Sequence, residues 1–260
     1  MKNMNKLLGF TLAETLVVIG LIGIVSALTL PNLNSKTGDK EQVVRVQKQQ
    51  QVLTEAYGRA RVKYGRSLTA WLTLDENNTD RSARVANRLK EFMSVKKDCG
   101  TSANSGCFAS SNVSYLSGGT TTSYDASNTT SKFIANDGTS FAVSCQYSKG
   151  VLVGWSSSLV GGSSSYTLPG CYITVDVDGP NKGPNKVGKD LFRFTITGKS
   201  PQIFTSPLTL TVNSNYCRTG DVLACTTYVL ENGTTDYPEG VINLPKWDNV
   251  CSKGVCEILK

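Results

Sequence analysis

The chain has no histidine, and this absence excludes several classes of enzyme. Ser-His-Asp and Cys-His hydrolases, metal centres with imidazole ligands and imidazole proton relays all need that side chain. The sequence also lacks the G-x-S-x-G, Walker A and Rossmann glycine patterns. No two acidic residues stand in a setting typical of a carboxylate-pair enzyme. We therefore predict that the protein is not an enzyme.

Charged residues make up only 18% of the chain, and no cysteine occurs before Cys99. Ser, Thr, Asn and Gly are abundant after residue 100, as on the uncharged surface of an exported domain. The eight cysteines are an even number, which favours disulfides over free thiols, while the lack of any CxxC pair disfavours zinc. Their connectivity stays open, but the spacing suggests local pairs: Cys99 with Cys107, Cys145 with Cys171, Cys217 with Cys225, and Cys251 with Cys256.

The first thirty residues carry the clearest functional signal. A short basic leader ends at Gly9, and an apolar run then extends from Phe10 to Leu30, immediately before Pro31. This run of 21 residues is long enough to cross a bilayer as a helix. Its one acid is Glu14, and a carboxylate buried at mid-membrane costs about 2.5–3.5 kcal/mol, so Glu14 needs a partner. An α-amine created by cleavage before Phe10 would be such a partner.

This segment resembles the class III signal of type IV pilins and of the pseudopilins of type II secretion. The matching residues are Gly9, Phe10, Thr11-Leu12 and Glu14. The resemblance implies that a prepilin peptidase cleaves between Gly9 and Phe10 and methylates the new amine. It further implies that Glu14 docks on the amine of a neighbouring subunit. Pro31 stands where many pilins have a helix-bending proline.

Two simpler kinds of N-terminal segment are alternatives. An ordinary secretory signal could be cleaved after Ala27, but such signals have a shorter apolar core and no acid like Glu14. A plain membrane anchor would account for the length of the run but not for Glu14 or for the Gly9-Phe10 step.

A minor or tip pilin that binds DNA or a surface is a further alternative, with Thr101–Ser131 as the place to look. The positive charge lies mainly between Lys36 and Asp98, so DNA binding would need those residues on the filament surface, and we do not expect nucleic acid as a partner.

The predicted fold is α+β, with a long N-terminal helix packed on an antiparallel head like that of a pilin. We divide the chain into a leader (1–9), a membrane and assembly helix (10–30), a helical stalk with a second helix (31–98) and a disulfide-bonded β-rich head (99–260). Helix formation weakens between Pro31 and Gly38, and Asp39 could cap a restart. An apolar stripe at helical spacing follows and predicts packing on the head: Val43, Val46, Leu53, Tyr57, Ala60 and Tyr64. A second amphipathic helix is predicted from about Asp80 to Val95, ending near Cys99-Gly100.

Within the head, Thr101–Ser131 is predicted to be a long surface loop. The sequence around Asn136-Asp137-Gly138 predicts a β-hairpin between Lys132–Ala135 and Thr139–Cys145. Further strands are predicted at four segments: Val151–Trp155, Cys171–Val177, Leu191–Thr197 and Thr226–Leu230. A helix followed by such strands is the order typical of α+β proteins.

Three aspartates near the middle of the head offer a candidate metal site. Asp176 and Asp178 alternate with valines, and two glycine-proline turns then lead to Asp190. Carboxylates in this arrangement suit Ca²⁺, although the EF-hand pattern is not matched. The alternative is a tight connection in which Asp176 and Asp178 accept backbone hydrogen bonds. We favour the tight connection over the calcium site, and apart from this possible calcium ion we expect no cofactor.

These observations together predict a structural subunit of a type IV pilus or a type II secretion pseudopilus. Its expected partners are other pilin subunits, the prepilin peptidase, the assembly machinery of the inner membrane and, before assembly, lipid. The head would lie outside the cytoplasm, and later in a filament.

Overall fold

The computed structural model describes residues 12–66, 68–72, 76–146, 170–197, 203–204, 217–218, 222–237, 251–252 and 255–256, without the side chains of residues 27–38 and a few others. The predicted leader, Gly9, Phe10 and the predicted strand Val151–Trp155 lie outside the described residues. Among the described residues, the α-helices are α1 (Leu12–Tyr64), α2 (Asn78–Lys90) and α3 (Val222–Asn232). Short 3-10 turns span Leu68–Ala70 and Tyr124–Ala126. The strands are β1 (Val95–Gly100), β2 (Val113–Ser114), β3 (Thr120–Thr121), β4 (Ser131–Ala135), β5 (Ser140–Gln146), β6 (Gly170–Asp176), β7 (Leu191–Thr197), β8 (Ile203–Phe204), β9 (Cys251–Ser252) and β10 (Val255–Cys256).

The fold is α+β, as predicted, and is built on one antiparallel sheet. Its strand order is β1-β4-β5-β6-β7-β8. The predicted hairpin is confirmed: Phe133 of β4 lies opposite Phe141 of β5, and their rings stack with centroids 5.0 Å apart. Gly138 closes the turn with a φ of +90°, and its N–H donates to the carbonyl of Ala135 at 3.0 Å. The predicted strands at Cys171–Val177 and Leu191–Thr197 correspond to β6 and β7.

One face of this sheet carries the core. Residues directly opposite each other on neighbouring strands share a face, so Phe133, Phe141, Val175 and Phe192 form an apolar row, and all four are fully buried. Helix α2 packs on β4 and β5, α3 packs on β7, and α1 contacts α2, α3 and β8. The helices therefore cover the sheet and attach the long α1 to the head.

Helix α1 differs from the prediction of a break followed by a restart at Asp39. It is continuous from Leu12 to Tyr64 and passes through Pro31. Asp39 does not serve as an N-cap, because its carboxylate accepts hydrogen bonds from Lys189 and Thr235 of the head. Pro31 removes one backbone hydrogen-bond donor from the helix. A helix tolerates this loss when packing further along its length stabilises it.

The predicted apolar stripe of α1 is confirmed in most positions. Val43, Val46, Leu53, Tyr57 and Ala60 are buried, whereas Tyr64 is half-buried. Two buried residues that the pattern missed, Gln49 and Ala56, complete the stripe. Gln49 is an amide in the core because its side chain finds two hydrogen-bond partners on the β4–β5 turn.

The second helix ends earlier than predicted. Asn77 caps α2 by accepting a hydrogen bond from the backbone N–H of Asp80 at 2.8 Å, and the helix stops at Lys90. The predicted helical end at Cys99-Gly100 is wrong, because Val95–Gly100 is strand β1 and pairs with β4. Pairing of this segment with β4 at the edge of the sheet therefore overrides the local helical pattern.

Two further predictions about the head are corrected. The segment Thr101–Ser131 is not only a surface loop: it contains β2 and β3, and Asp125 within it is buried. The carboxylate of Asp125 accepts hydrogen bonds from the backbone N–H groups of Gly106, Cys107 and Phe108, which orders the segment. Thr226–Leu230, predicted as a strand, lies in α3.

The helical state of α3 has a local cause. The hydroxyls of Thr226 and Thr227 donate to the carbonyls of Val222 and Leu223 one turn earlier, at 2.8 Å and 3.0 Å. These bonds satisfy β-branched polar side chains inside a buried helix, and packing on β7 then outweighs their strand preference.

Candidate functional site

The first half of α1, as far as Val25, is exposed and presents apolar side chains on every side of the helix. Leu16, Val17, Val18 and Ile19 are consecutive, and each is between 50% and 66% exposed. Because successive helical residues are about 100° apart, four consecutive exposed apolar residues encircle the helix. Such a surface is typical of helices that are covered by lipid or by other helices.

Glu14 lies in the first turn of this helix and is exposed. A carboxylate in this position interacts favourably with the positive end of the helix dipole. The predicted cleavage residues Gly9 and Phe10 lie outside the described residues, as does the side chain of Pro31. In the part of the chain that the structure describes, no helix meets the combined length and hydropathy needed to cross a membrane. Of the predicted span, Phe10, Thr11 and the side chains of residues 27–30 lie outside the described residues.

The second half of α1 is fastened to the head by hydrogen bonds at successive turns. Asp39 Oδ1 accepts from Thr235 Oγ1 at 2.6 Å and from Lys189 Nζ at 3.1 Å. Burial alone would raise the pKa of Asp39, but these two bonds outweigh it and the pKa is lowered. Two turns later, Arg45 Nη1 donates to the carbonyl of Val177 at 3.2 Å. The second half of α1 is therefore bonded to the segment that connects β6 and β7.

A second attachment involves the turn between β4 and β5. Asp137 Oδ2 accepts from Lys48 Nζ at 2.7 Å and from Gln49 Nε2 at 3.0 Å, and Gln49 also donates to Thr139 Oγ1. Burial raises the pKa of Asp137, but the bonds from Lys48, Gln49 and Thr139 outweigh this and lower it to about 2. The sequence marked Asp137 only as a turn residue, and nothing in its spacing pointed to α1.

The structure brings the three candidate calcium ligands close together at the end of β6. Asp176 and Asp190 are fully buried, and the Asp190 carboxylate caps the turn by accepting from the N–H groups of Asn185 and Lys186 at 2.5 Å and 2.6 Å. Asp176 Oδ1 accepts from the N–H of Gly179 at 2.9 Å. Among the described residues, no three acidic, cysteine or histidine side chains are grouped so that they could hold a metal ion. Asp176, Asp178 and Asp190, the candidate ligands for calcium, are not arranged as such a group among the described residues.

The alternative prediction, a tight hydrogen-bonded connection, matches this geometry. It leaves two carboxylate oxygens, Asp176 Oδ2 and Asp178 Oδ1, buried with no hydrogen-bond partner among the described residues. Burial, and then the neighbouring Asp178 and Asp190, raise the pKa of Asp176 to about 8. Burial also raises the pKa of Asp190 to about 6. Asp176 is therefore largely protonated in the folded protein at neutral pH.

In the described part of the chain, three disulfides join three of the local pairs suggested by the sequence. Cys99 bonds to Cys107, Cys145 to Cys171, and Cys217 to Cys225. In the fourth pair, Cys251 and Cys256 lie opposite each other on β9 and β10. The Cys145–Cys171 bridge joins adjacent strands in the core, whereas Cys217–Cys225 ties the start of α3 to the preceding segment.

Comparisons of this chain with family models, with curated proteins and with solved structures find no match.

Proposed function

We propose that the protein is a structural subunit of a type IV pilus or of a type II secretion pseudopilus. Its activity is polymerisation through the N-terminal helix. In this proposal a prepilin peptidase removes residues 1–9, and the subunit stays in the inner membrane, with its head outside the cytoplasm, until assembly.

The observation that carries the proposal is the division of α1 into two halves. Its first half exposes apolar side chains all around, and its second half is fixed to a disulfide-bonded head. Burying the exposed half is worth about 25 cal/mol for each Å² of apolar surface removed from water, so this half favours lipid or a bundle of like helices. The class III pattern at Gly9, Phe10 and Glu14 adds independent support from the sequence.

Glu14 has a defined role in this mechanism. During assembly its carboxylate would pair with the methylated α-amine of Phe10 on a neighbouring subunit. Such pairing would offset the cost of placing a carboxylate in an apolar environment and allow the helix to leave lipid for the bundle. The arrangement of α1 on an antiparallel head is compatible with a pilin-like fold.

Replacement of Glu14 tests the proposal in the native host. We expect Glu14→Gln to abolish incorporation into sheared filaments or into the pseudopilus, while the protein still accumulates in the membrane. Glu55→Gln is the matched control, because Glu55 lies exposed on the same helix, where it pairs with the exposed Arg59. Normal incorporation of the Glu14→Gln protein would contradict the assembly mechanism.

A further inference from the structure

The segment that connects β6 and β7 buries its acids and presents its lysines at the surface. From Asp176 to Asp190 the chain has three aspartates and three lysines, so the segment is neutral in sequence. Asp176 and Asp190 are fully buried, and Asp178 has a buried carboxylate oxygen. The lysines all reach solvent: Lys182, Lys186 and Lys189. The surface of this connection is therefore more positive than its composition indicates.

This connection lies along the part of α1 that follows the apolar half. At its start, the carbonyl of Val177 accepts a hydrogen bond from Arg45 Nη1 at 3.2 Å. Further along, Lys182 lies within electrostatic reach of Glu41, since its charge adds to the hydrogen bond and charge of Arg45 in lowering the pKa of Glu41. Glu41 lies one turn nearer the N-terminus than Arg45, so the connection extends towards the apolar half of α1.

Three lysines at this end of the head have no acidic partner. Lys189 pairs with Asp39, whereas Lys40, Lys182 and Lys186 form no ion pair with any residue that the structure describes. Lys40 and Lys182 are exposed, and Lys186 is partly exposed. We refer to Lys40, Lys182 and Lys186 as the basic region.

The basic region lies near the surface of the bilayer in which the proposed function places α1. At a rise of about 1.5 Å for each residue, Asp39 and Glu41 are about 14 Å and 16 Å along the helix from Leu30, the last residue of the predicted span. Polar headgroups extend about 5–8 Å beyond the hydrocarbon, and charges act over about a further 8–10 Å at moderate ionic strength. The lysines therefore lie within electrostatic reach of the headgroups.

We propose that the basic region binds the headgroups of anionic phospholipids while the subunit is inserted in the membrane. This inference rests on the proposed function, because it requires α1 to be inserted. Lysine ammonium groups bind phosphate as point charges, and the neighbouring aspartates do not repel the headgroups because they are turned inward. Continuity with the apolar half of α1 favours lipid over other anions. Assembly would then have to break these contacts as the helix leaves the bilayer.

Spin-labelled phospholipids test the proposal in bilayers that contain the full chain. The protein is reconstituted in phosphatidylcholine vesicles with a trace of spin-labelled phosphatidylglycerol or of spin-labelled phosphatidylcholine. Electron spin resonance then gives the fraction of each lipid that the protein immobilises. We expect the relative association constant to favour phosphatidylglycerol about twofold or more at about 0.1 M salt. At about 1 M salt, where charges act over only about 3 Å, this preference should fall by about half or more.

The same vesicles separate failure of the lipid site from failure of the proposed function. A chain that alkaline carbonate releases from the vesicles is not inserted, and this result would contradict the proposed function together with the lipid site. An inserted chain that immobilises both lipids equally, or whose preference does not change with salt, would overturn the lipid site alone.

A control pair of lysines lies far from the expected bilayer. Lys96 and Lys97 are exposed on β1, which begins four residues after Glu91. Glu91 pairs with Lys63, about 50 Å along α1 from Leu30. Five or six residues span at most about 20 Å, so this pair stays outside the reach of headgroup charges.

Two double variants with the same change in charge locate the site. Lys182→Gln/Lys186→Gln should reduce the preference for phosphatidylglycerol by about half or more, whereas Lys96→Gln/Lys97→Gln should keep the preference of the parent. Far-UV circular dichroism checks that each variant folds, and the salt dependence of the parent tests the proposal without any variant. Equal effects of the two double variants, or a parent-like preference in folded Lys182→Gln/Lys186→Gln, would refute binding at the basic region.

Discussion

Asp176→Asn should stabilise the protein, in a manner that depends on pH. In the parent, Asp176 Oδ1 accepts from Gly179, while Oδ2 and the adjacent Asp178 Oδ1 are buried without partners among the described residues. An asparagine keeps the acceptor for Gly179, and its amide N–H can donate to Asp178. The substitution therefore replaces an acid that must take up a proton to be buried with a neutral amide that supplies a donor for Asp178.

The size of the effect follows from the pKa of Asp176, which the fold raises from 3.8 to about 8. A raised pKa means that the folded state binds the proton more tightly than the unfolded state, so parent stability falls as pH rises from about 4 to 8. At about 1.4 kcal/mol for each tenfold change in proton affinity, the full penalty is on the order of 5 kcal/mol above pH 8. At pH 5 it is on the order of 1–2 kcal/mol.

Urea unfolding of the full chain in detergent, measured at pH 5 and pH 8, tests this reasoning. We expect the free energy of unfolding of Asp176→Asn to exceed that of the parent by several kcal/mol at pH 8 and by far less at pH 5. A stability difference that is negative, or that is the same at both pH values, would refute the argument that Asp176 is a destabilising buried acid.

Three further predictions concern the attachment of α1 and the turns of the head. Asp137→Asn should lower the free energy of unfolding by about 1–2 kcal/mol near pH 7, because the fold lowers the pKa of Asp137 to about 2; this figure allows for the screening of its exposed ion pair with Lys48. The stability that Asp137 contributes is present above pH 4 and is lost as the pH falls towards 2. Urea unfolding measured across that pH range would detect the loss. Gly179→Ala should destabilise by more than about 2 kcal/mol, since Gly179 has a φ of +87° and a Cβ there would lie 2.3 Å from the carbonyl oxygen of Gly138; its control, Gly183→Ala, meets nothing closer than 4.0 Å and should change the thermal midpoint little. Leu53→Ala, on the buried face of α1, should cost about 2–5 kcal/mol in urea unfolding, whereas Val62→Ala, at a side chain 88% exposed, should stay within about 0.5 kcal/mol; equal effects would contradict the packing of this face on the head.

The parts of the fold that depend on local chemistry were predicted from the sequence. The hairpin at Asn136-Asp137-Gly138, strand β7 and most of the α1 stripe follow from turn residues and periodicity. The strand predicted at Thr226–Leu230 failed because threonine hydroxyls bond to carbonyls one turn earlier and the helix packs on β7. The second helix was predicted too long because β1 pairs with β4, a contact that local sequence cannot reveal.

The candidate sites likewise divide into those that local sequence reveals and those that depend on contacts between distant residues. The pattern Gly9, Phe10, Glu14 is contiguous in sequence and could be found there, whereas the attachment of α1 unites residues more than eighty positions apart, such as Gln49 and Asp137. The aspartates near Asp176 were recognised as a group, but their role depends on which oxygens receive backbone N–H groups.

The most direct test of the central claim is the mass of the N-terminal peptide from membrane-extracted protein, in cells with and without a prepilin peptidase. The account predicts a chain that begins at methylated Phe10 only when the peptidase is present. A chain that begins after Ala27, or an uncleaved Met1 chain in both cell types, would contradict the assignment to a pilin-class filament.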